Sequence, residues 1–146
     1  PDGSEVCVPA AGAAVPVFEV ATGESKRALA KGLLPERPVG TNVAFAGDGR
    51  RLVAVVTAPG EKGGYAVSVG DTATGKPVRT FPVPDMPRAL TVSPNGKLLA
   101  VCTDSLKSSE ARVFDLATGK ELQSVPLTMT PAQVTFSPDS RLLAVT

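Results

Sequence analysis

The sequence predicts an all-β fold built from a repeated pair of hairpins, and three observations lead there. The same apolar–turn–apolar segment occurs four times. A second segment ending in Ala-Thr-Gly occurs three times between those copies. Fourteen glycines and fourteen prolines in 146 residues punctuate the chain too often for long helices.

The first segment comprises Val43–Val56, Leu90–Cys102 and Val134–Thr146, and the opening Pro1–Val8 enters the same pattern at its turn. The turn residues Asp2, Asp48, Asn95 and Asp139 follow one another at intervals of 46, 47 and 44 positions. The second segment is Val17–Gly23, Val69–Gly75 and Val113–Gly119. Two motifs recurring in one order at a period of roughly 40–50 residues indicate a propeller or a related repeat array.

Each motif has the chemistry of a hairpin turn. Proline presets φ, Asp or Asn bonds its own backbone two residues on, and glycine accepts positive φ. Gly23, Gly75 and Gly119 are the expected left-handed residues of the second turn. The turn acids are therefore structural, not ligands.

The strands differ in expected burial. Leu52–Val56, Leu98–Cys102 and Leu142–Val145 are continuously apolar, as in strands covered on both faces. The preceding strands alternate, with Val43 and Phe45 flanking Ala44, and Val134 and Phe136 flanking Thr135. The strands after Ala-Thr-Gly mix Lys26, Arg27, Arg79, Gln123 and Ser124 with apolar residues and read as half-exposed edges. Four strands per repeat, from a small-residue inner strand to a polar outer one, describe a β-propeller blade. On this reading 1–30 hold strands B–D of a first blade, 41–83 a second, 88–127 a third, and 132–146 the start of a fourth.

The stretch Val67–Val83, continued by Pro87–Gly96, resembles bacterial propeller repeats of the Tyr-Val-Thr-Asn (YVTN) type. Val113–Leu122 resembles both that type and the WD repeat, with Phe114-Asp115 in the place of Trp-Asp. Phe18-Glu19 and Gly70-Asp71 are the corresponding pairs. The resemblance implies a ring of about seven four-stranded blades serving as a scaffold, a surface protein or an enzyme platform. A WD repeat also carries a Gly-His dipeptide that bonds the turn acid and the Trp. This chain has neither His nor Trp, which favours the YVTN-like side.

About four to eight blades close a ring, so three blades are expected to be a fragment of a longer protein or one unit of an oligomeric ring. The fragment is favoured, because the chain begins inside a turn motif and stops inside a strand.

Function is constrained chiefly by exclusion. A net charge of +1 is too small for a charge-driven nucleic-acid or membrane binder, and no run of eighteen apolar residues exists to span a bilayer. The missing histidine removes the commonest general base and metal ligand, and neither a metal site nor a cofactor is expected. Cys7 and Cys102 fall on blades two apart, too distant for a disulfide, and read as small buried hydrophobes.

The A–B and C–D turns are short and nearly constant. The B–C connections vary (Pro9–Ala14, Ala58–Gly64, Thr103–Glu110), as do the D–A connections (Lys31–Gly40, Pro84–Pro87, Thr128–Pro131). Variable loops on a rigid frame are the expected binding face. Its candidates are Arg37, Glu61, Lys62, Tyr65, Met86, Arg88, Asp104, Lys107 and Met129. Arg37 and Arg88 could meet an anion in the channel, and Met86 and Met129 could form an adaptable apolar contact. The expected role is a non-catalytic interaction scaffold for a protein partner or a fused domain, with further blades from the same chain or from an oligomer. The alternative is the propeller domain of a lactonase-like or quinoprotein-like enzyme whose catalytic residues lie outside this chain.

Overall fold

A computed structural model describes residues 4–7, 15–29, 38–47, 49–58 and 64–146. Thirteen strands and no helix occur among the described residues. The first sheet holds β1 (Glu5–Cys7), β2 (Val15–Glu19) and β3 (Ser25–Leu29) in that order. The second holds β4 (Pro38–Phe45), β5 (Arg51–Thr57), β6 (Tyr65–Asp71) and β7 (Pro77–Val83). The third repeats it with β8 (Met86–Val92), β9 (Leu98–Asp104), β10 (Ser109–Asp115) and β11 (Glu121–Leu127). A two-stranded sheet of β12 (Val134–Phe136) and β13 (Leu143–Val145) follows. Every pairing is antiparallel between strands consecutive in sequence.

The sheets stack face to face, and a central strand must therefore be apolar on both sides. Leu52 and Ala54 of β5 meet Val17 of the first sheet. Val53, with Val67, Val69, Phe81 and Val83, meets Leu99, Val101, Phe114 and Leu116 of the third sheet. Ala89, Ala100, Cys102 and Ala111 then meet Val134, Phe136, Leu143 and Val145 of the fourth. Strands β4, β8 and β12 approach one another most closely, so the sheets converge on that edge. Strands β7 and β11 lie at the opposite edge, where β11 is exposed at every residue except the half-buried Leu127. With so little apolar burial, β11 is held by its ladder to β10 and by polar pairs. Arg112 reaches Glu121 at 3.1 Å and Glu110 at 2.6 Å, and Ser124 Oγ donates to Glu110 at 2.7 Å.

One expectation fails. Leu142–Val145 was to be covered on both faces, but Leu142 lies outside β13 and is 71% exposed, and Ala144 is exposed. In its near-copy Leu98–Val101, the residues Leu99, Ala100 and Val101 are enclosed by sheets on either side. Among the described residues β13 has a neighbour sheet on one face only, which accounts for the difference.

The turns hold the acids in structural roles. Asp115 Oδ1 accepts from the Thr118 amide and hydroxyl, both at 2.7 Å. Asp71 Oδ1 accepts from the same groups of Thr74 at 2.8 and 3.0 Å, and Glu19 accepts from the Thr22 hydroxyl at 2.9 Å. Asn95 and Asp139 bond the amides two residues on, at 3.0 and 3.1 Å. Gly23, Gly75 and Gly119 have φ of 72°, 68° and 73°. Asp2 and Asp48 lie outside the described residues.

Contacts between turns lock the stack. A Cβ on Gly47 would fall 2.0 Å from the Pro94 carbonyl oxygen, which explains why glycine stands where the later repeats carry Pro94 and Pro138. One repeat further, the Asn95 amide donates to Ser140 Oγ at 3.2 Å. At the same end but towards the outer edge, a Cβ on Gly119 would fall 2.9 Å from the Phe81 ring, and Arg79 Nη1 donates to the Thr118 carbonyl at 3.3 Å. Gly47→Ala is therefore expected to destabilise by at least about 2 kcal/mol, because the opposing atom belongs to backbone and cannot turn aside. Denaturant unfolding checks this, and a wild-type midpoint would contradict the packing described.

The turn acids also set a pH dependence. Asp115 and Asp71 are held below the usual carboxylate range by hydrogen bonds from Thr118 and Thr74, and Asp139 chiefly by the Ser137 hydroxyl. A depressed carboxyl binds fewer protons folded than unfolded, so its stabilisation is present above the ordinary Asp value of about 4 and is lost as pH falls below it. Unfolding free energy should stay flat from pH 7 to about 5 and fall towards pH 3. Asp115→Asn keeps an acceptor but cannot titrate, so its acid-side loss should be shallower. Equal slopes for the two proteins would contradict this origin.

Candidate functional site

The D–A and B–C ends of the sheets gather the candidate residues. Met86 pairs with Asp104 across β8 and β9, Asp104 pairs with Ser109 across β9 and β10, and Ser109 pairs with Leu127 on β11. Register alone thus places Met86, Arg88, Asp104, the 105–108 loop and the segment after Leu127 at one end of the third sheet. Tyr65 opens β6 opposite Thr57 and Val83, at the same end of the second sheet. Arg37, Glu61 and Lys62 lie outside the described residues.

Two of the connections are shorter than the sequence suggests, while the one between β11 and β12 is longer, running over 128–133. Met86 belongs to β8 and not to a loop, which leaves only Pro84 and Asp85 between β7 and β8. Asp85 makes that reversal with φ of 64°, a conformation in which Asp is among the more tolerant residues. The B–C connection narrows to Ser105–Ser108 and is built around Ser105. Its Oγ donates to the Ser108 carbonyl at 3.0 Å and accepts from the amides of Lys107 and Ser108 at 3.3 and 3.1 Å. This folding points Leu106 and Lys107 outward, and both are exposed.

Arg88 is not a lone cation. Its Nη2 and Nε donate to Asp104 Oδ2 at 3.0 and 3.3 Å, while Ser109 Oγ donates to Asp104 Oδ1 at 2.9 Å. Ser109 first and Arg88 second hold the Asp104 carboxyl below its ordinary range. The guanidinium stays substantially exposed at the rim, its charge shared with a carboxylate, so its pull on an outside anion is reduced. A cleft of about 380 Å³ opens beside it between β8 and the last sheet, lined by Arg88, Leu90, Gln133, Thr135 and Thr146 among others.

Around this polar centre stand exposed apolar side chains: Met86 beside Asp104, Leu106 in the loop, and Met129 two residues beyond β11. The two methionines are brought to one end, although on a strand and on a connection respectively. The Arg88–Asp104 pair was missed from the sequence because its members come from different strands, sixteen positions apart. Only the strand register brings them together.

Cys102 does not contribute a nucleophile. It is free and buried, and burial pushes its thiol up to about 11, so the thiol is protonated at neutral pH. No group of three or more Cys, Asp or Glu residues placed to hold a metal ion occurs among the described residues.

No family model and no curated protein matches the sequence. Solved structures do match in fold. One is Kuenenia stuttgartiensis hydrazine synthase, with a TM-score of 0.73 and 22% identity over 99% of this chain and 47% of that one. Another belongs to the complex of KlAtg21 with the coiled-coil of AgAtg16, with a TM-score of 0.68 and 15% identity over 98% of this chain and 46% of that one. This chain therefore spans about half the length of these chains, and at such identities the likeness is one of fold.

Proposed function

We propose that the chain forms part of a β-propeller of the YVTN or WD-repeat kind and serves as a non-catalytic scaffold that holds a protein partner at the rim around Arg88. Four-stranded sheets in sequential order, converging on β4, β8 and β12, support the propeller. The rim carries the binding role. Met86, Leu106 and Met129 expose apolar surface around a charged pair and the exposed Lys107, the mixture expected of an adaptable protein-binding surface. Asp71, Asp115 and Asp139 are engaged in turns, and Glu110 and Glu121 in ion pairs with Arg112, where they have structural work. KlAtg21, which is similar in fold, was solved together with a coiled-coil partner, so a frame of this kind can hold one.

Affinity capture from the native host tests the assignment. Replacing 105–108 by a Gly-Ser linker together with Met129→Asp should reduce recovery of the specific partner at least tenfold. Lys120→Glu, in the turn at the opposite end, should leave recovery unchanged. Undiminished capture by the rim variant, or equal loss in both, would contradict the rim as the binding surface.

A further inference from the structure

The turn between β8 and β9 carries Asn95-Gly96, the one Asn-Gly pair in the sequence. Asparagine is a thermolabile residue, and a glycine after it leaves the next backbone nitrogen unshielded by a side chain. That nitrogen can attack the asparagine Cγ, expel ammonia and close a five-membered imide.

In the folded chain both reacting groups are engaged. The Gly96 amide, which would be the nucleophile, donates to the Ser93 carbonyl at 2.8 Å. Asn95 Oδ1, on the carbon to be attacked, accepts from Ser93 Oγ at 2.8 Å and from the Lys97 amide at 3.0 Å. Ser93 is itself fully buried, and its Oγ accepts from the Leu98 amide at 2.9 Å. Ring closure turns the Gly96 nitrogen onto Cγ, so it breaks the first of these bonds and displaces the others. Asn95 nevertheless stands exposed beside an open cleft of about 340 Å³, so water is at hand once the turn opens.

The same turn one repeat later shows which product fits. Asp139 stands where Asn95 stands, its Oδ1 accepting from Ser137 Oγ at 2.6 Å and from the Arg141 amide at 3.1 Å. The Ser140 amide donates to the Ser137 carbonyl at 2.8 Å, and Ser140 has φ of 62° against 70° for Gly96. A carboxylate therefore serves this turn as an amide does. At position 95 it would also border a cleft whose one charged lining residue, among the described residues, is Arg51.

We propose that Asn95-Gly96 is a latent deamidation site which the Ser93 turn holds shut, and that its two products have opposite fates. When the turn opens, the Gly96 nitrogen loses its proton to solvent base and bonds to Asn95 Cγ, and Nδ2 leaves as ammonia. Water then opens the imide. Cleavage between the nitrogen and Cγ gives aspartate at position 95, which re-forms the turn. Cleavage between the nitrogen and the main-chain carbonyl carbon gives isoaspartate, whose chain runs through Cβ and Cγ. That link removes the Oδ1 acceptor and lengthens the turn where it packs on the second sheet. Little room exists there: a Cβ on Gly96 would stand 3.5 Å from the Gly47 nitrogen, and one on Gly47 2.0 Å from the Pro94 carbonyl oxygen. Isoaspartate is thus the damaging product. The inference rests on this turn and not on the role assigned to the rim.

Peptide mapping by mass spectrometry tests it, on the whole chain held at mildly alkaline pH, either folded or in guanidinium chloride. Conversion of Asn95 should be at least tenfold slower in the folded chain, because only the open fraction reacts. Ser93→Ala removes the hydroxyl that holds Oδ1, and its folded-state conversion should rise at least fivefold. Leu52→Ala, at a side chain packed on the first sheet, weakens the fold away from the turn and should accelerate conversion less. Asn95→Asp should keep the wild-type unfolding midpoint, whereas chains enriched in isoaspartate should unfold at lower denaturant. Equal conversion in folded and unfolded chains would overturn the proposal. So would a wild-type rate in Ser93→Ala, an equal acceleration by Leu52→Ala, or a destabilised Asn95→Asp. If Ser93→Ala does not fold, the folded and unfolded wild type decide alone.

Discussion

Everything else in this molecule depends on burying both faces of each central strand between neighbouring sheets. An isolated four-stranded sheet has two apolar faces here and nothing within itself to cover them. Stacking supplies the cover: Leu99, Ala100, Val101 and Cys102 are each 0% exposed, pointing alternately to the second and fourth sheets. A fully buried Val or Leu side chain contributes about 1.5–3 kcal/mol, so β9 alone outweighs any surface ion pair in the third sheet. Turns, edges and the rim are arranged around that requirement.

The turns translate stacking into spacing. The Ala-Thr-Gly hairpins each carry a glycine at positive φ, and the acid–threonine bonds hold those reversals in one shape. Identical reversals then repeat at the same height in each sheet, which lets Gly47 meet Pro94 and Gly119 meet Phe81. The rim escapes this uniformity where its connections leave side chains in solvent. There the chain can afford Leu106 and Met129 in solvent and an Arg88–Asp104 pair shared between strands.

Strand order, the turn glycines and the double burial of Leu52–Val56 and Leu98–Cys102 were legible in the sequence, since each is encoded locally by alternation or turn chemistry. The acid three residues before each threonine was equally visible as Glu19/Thr22, Asp71/Thr74 and Asp115/Thr118, but its meaning emerges only from the bonds. Exposure along Leu142–Val145 was not legible, because burial there belongs to the neighbour and not to the strand. Arg88 with Asp104, and Arg112 with Glu110 and Glu121, needed cross-strand register that no local pattern supplies. Glycine at position 47, where the later repeats carry Pro94 and Pro138, follows from the close approach of the Pro94 carbonyl, which no local pattern displays.

The central claim is that coverage by adjacent sheets, and not local sequence, decides the stability of each strand. The chain carries its own control: Leu98-Leu-Ala-Val and Leu142-Leu-Ala-Val are the same four residues in different surroundings. Amide hydrogen exchange, measured at a concentration where the chain is monomeric, compares them directly. The account predicts strong protection for Leu99–Cys102 and exchange at least a hundredfold faster for Leu143–Val145. Equal protection of the two segments would contradict it.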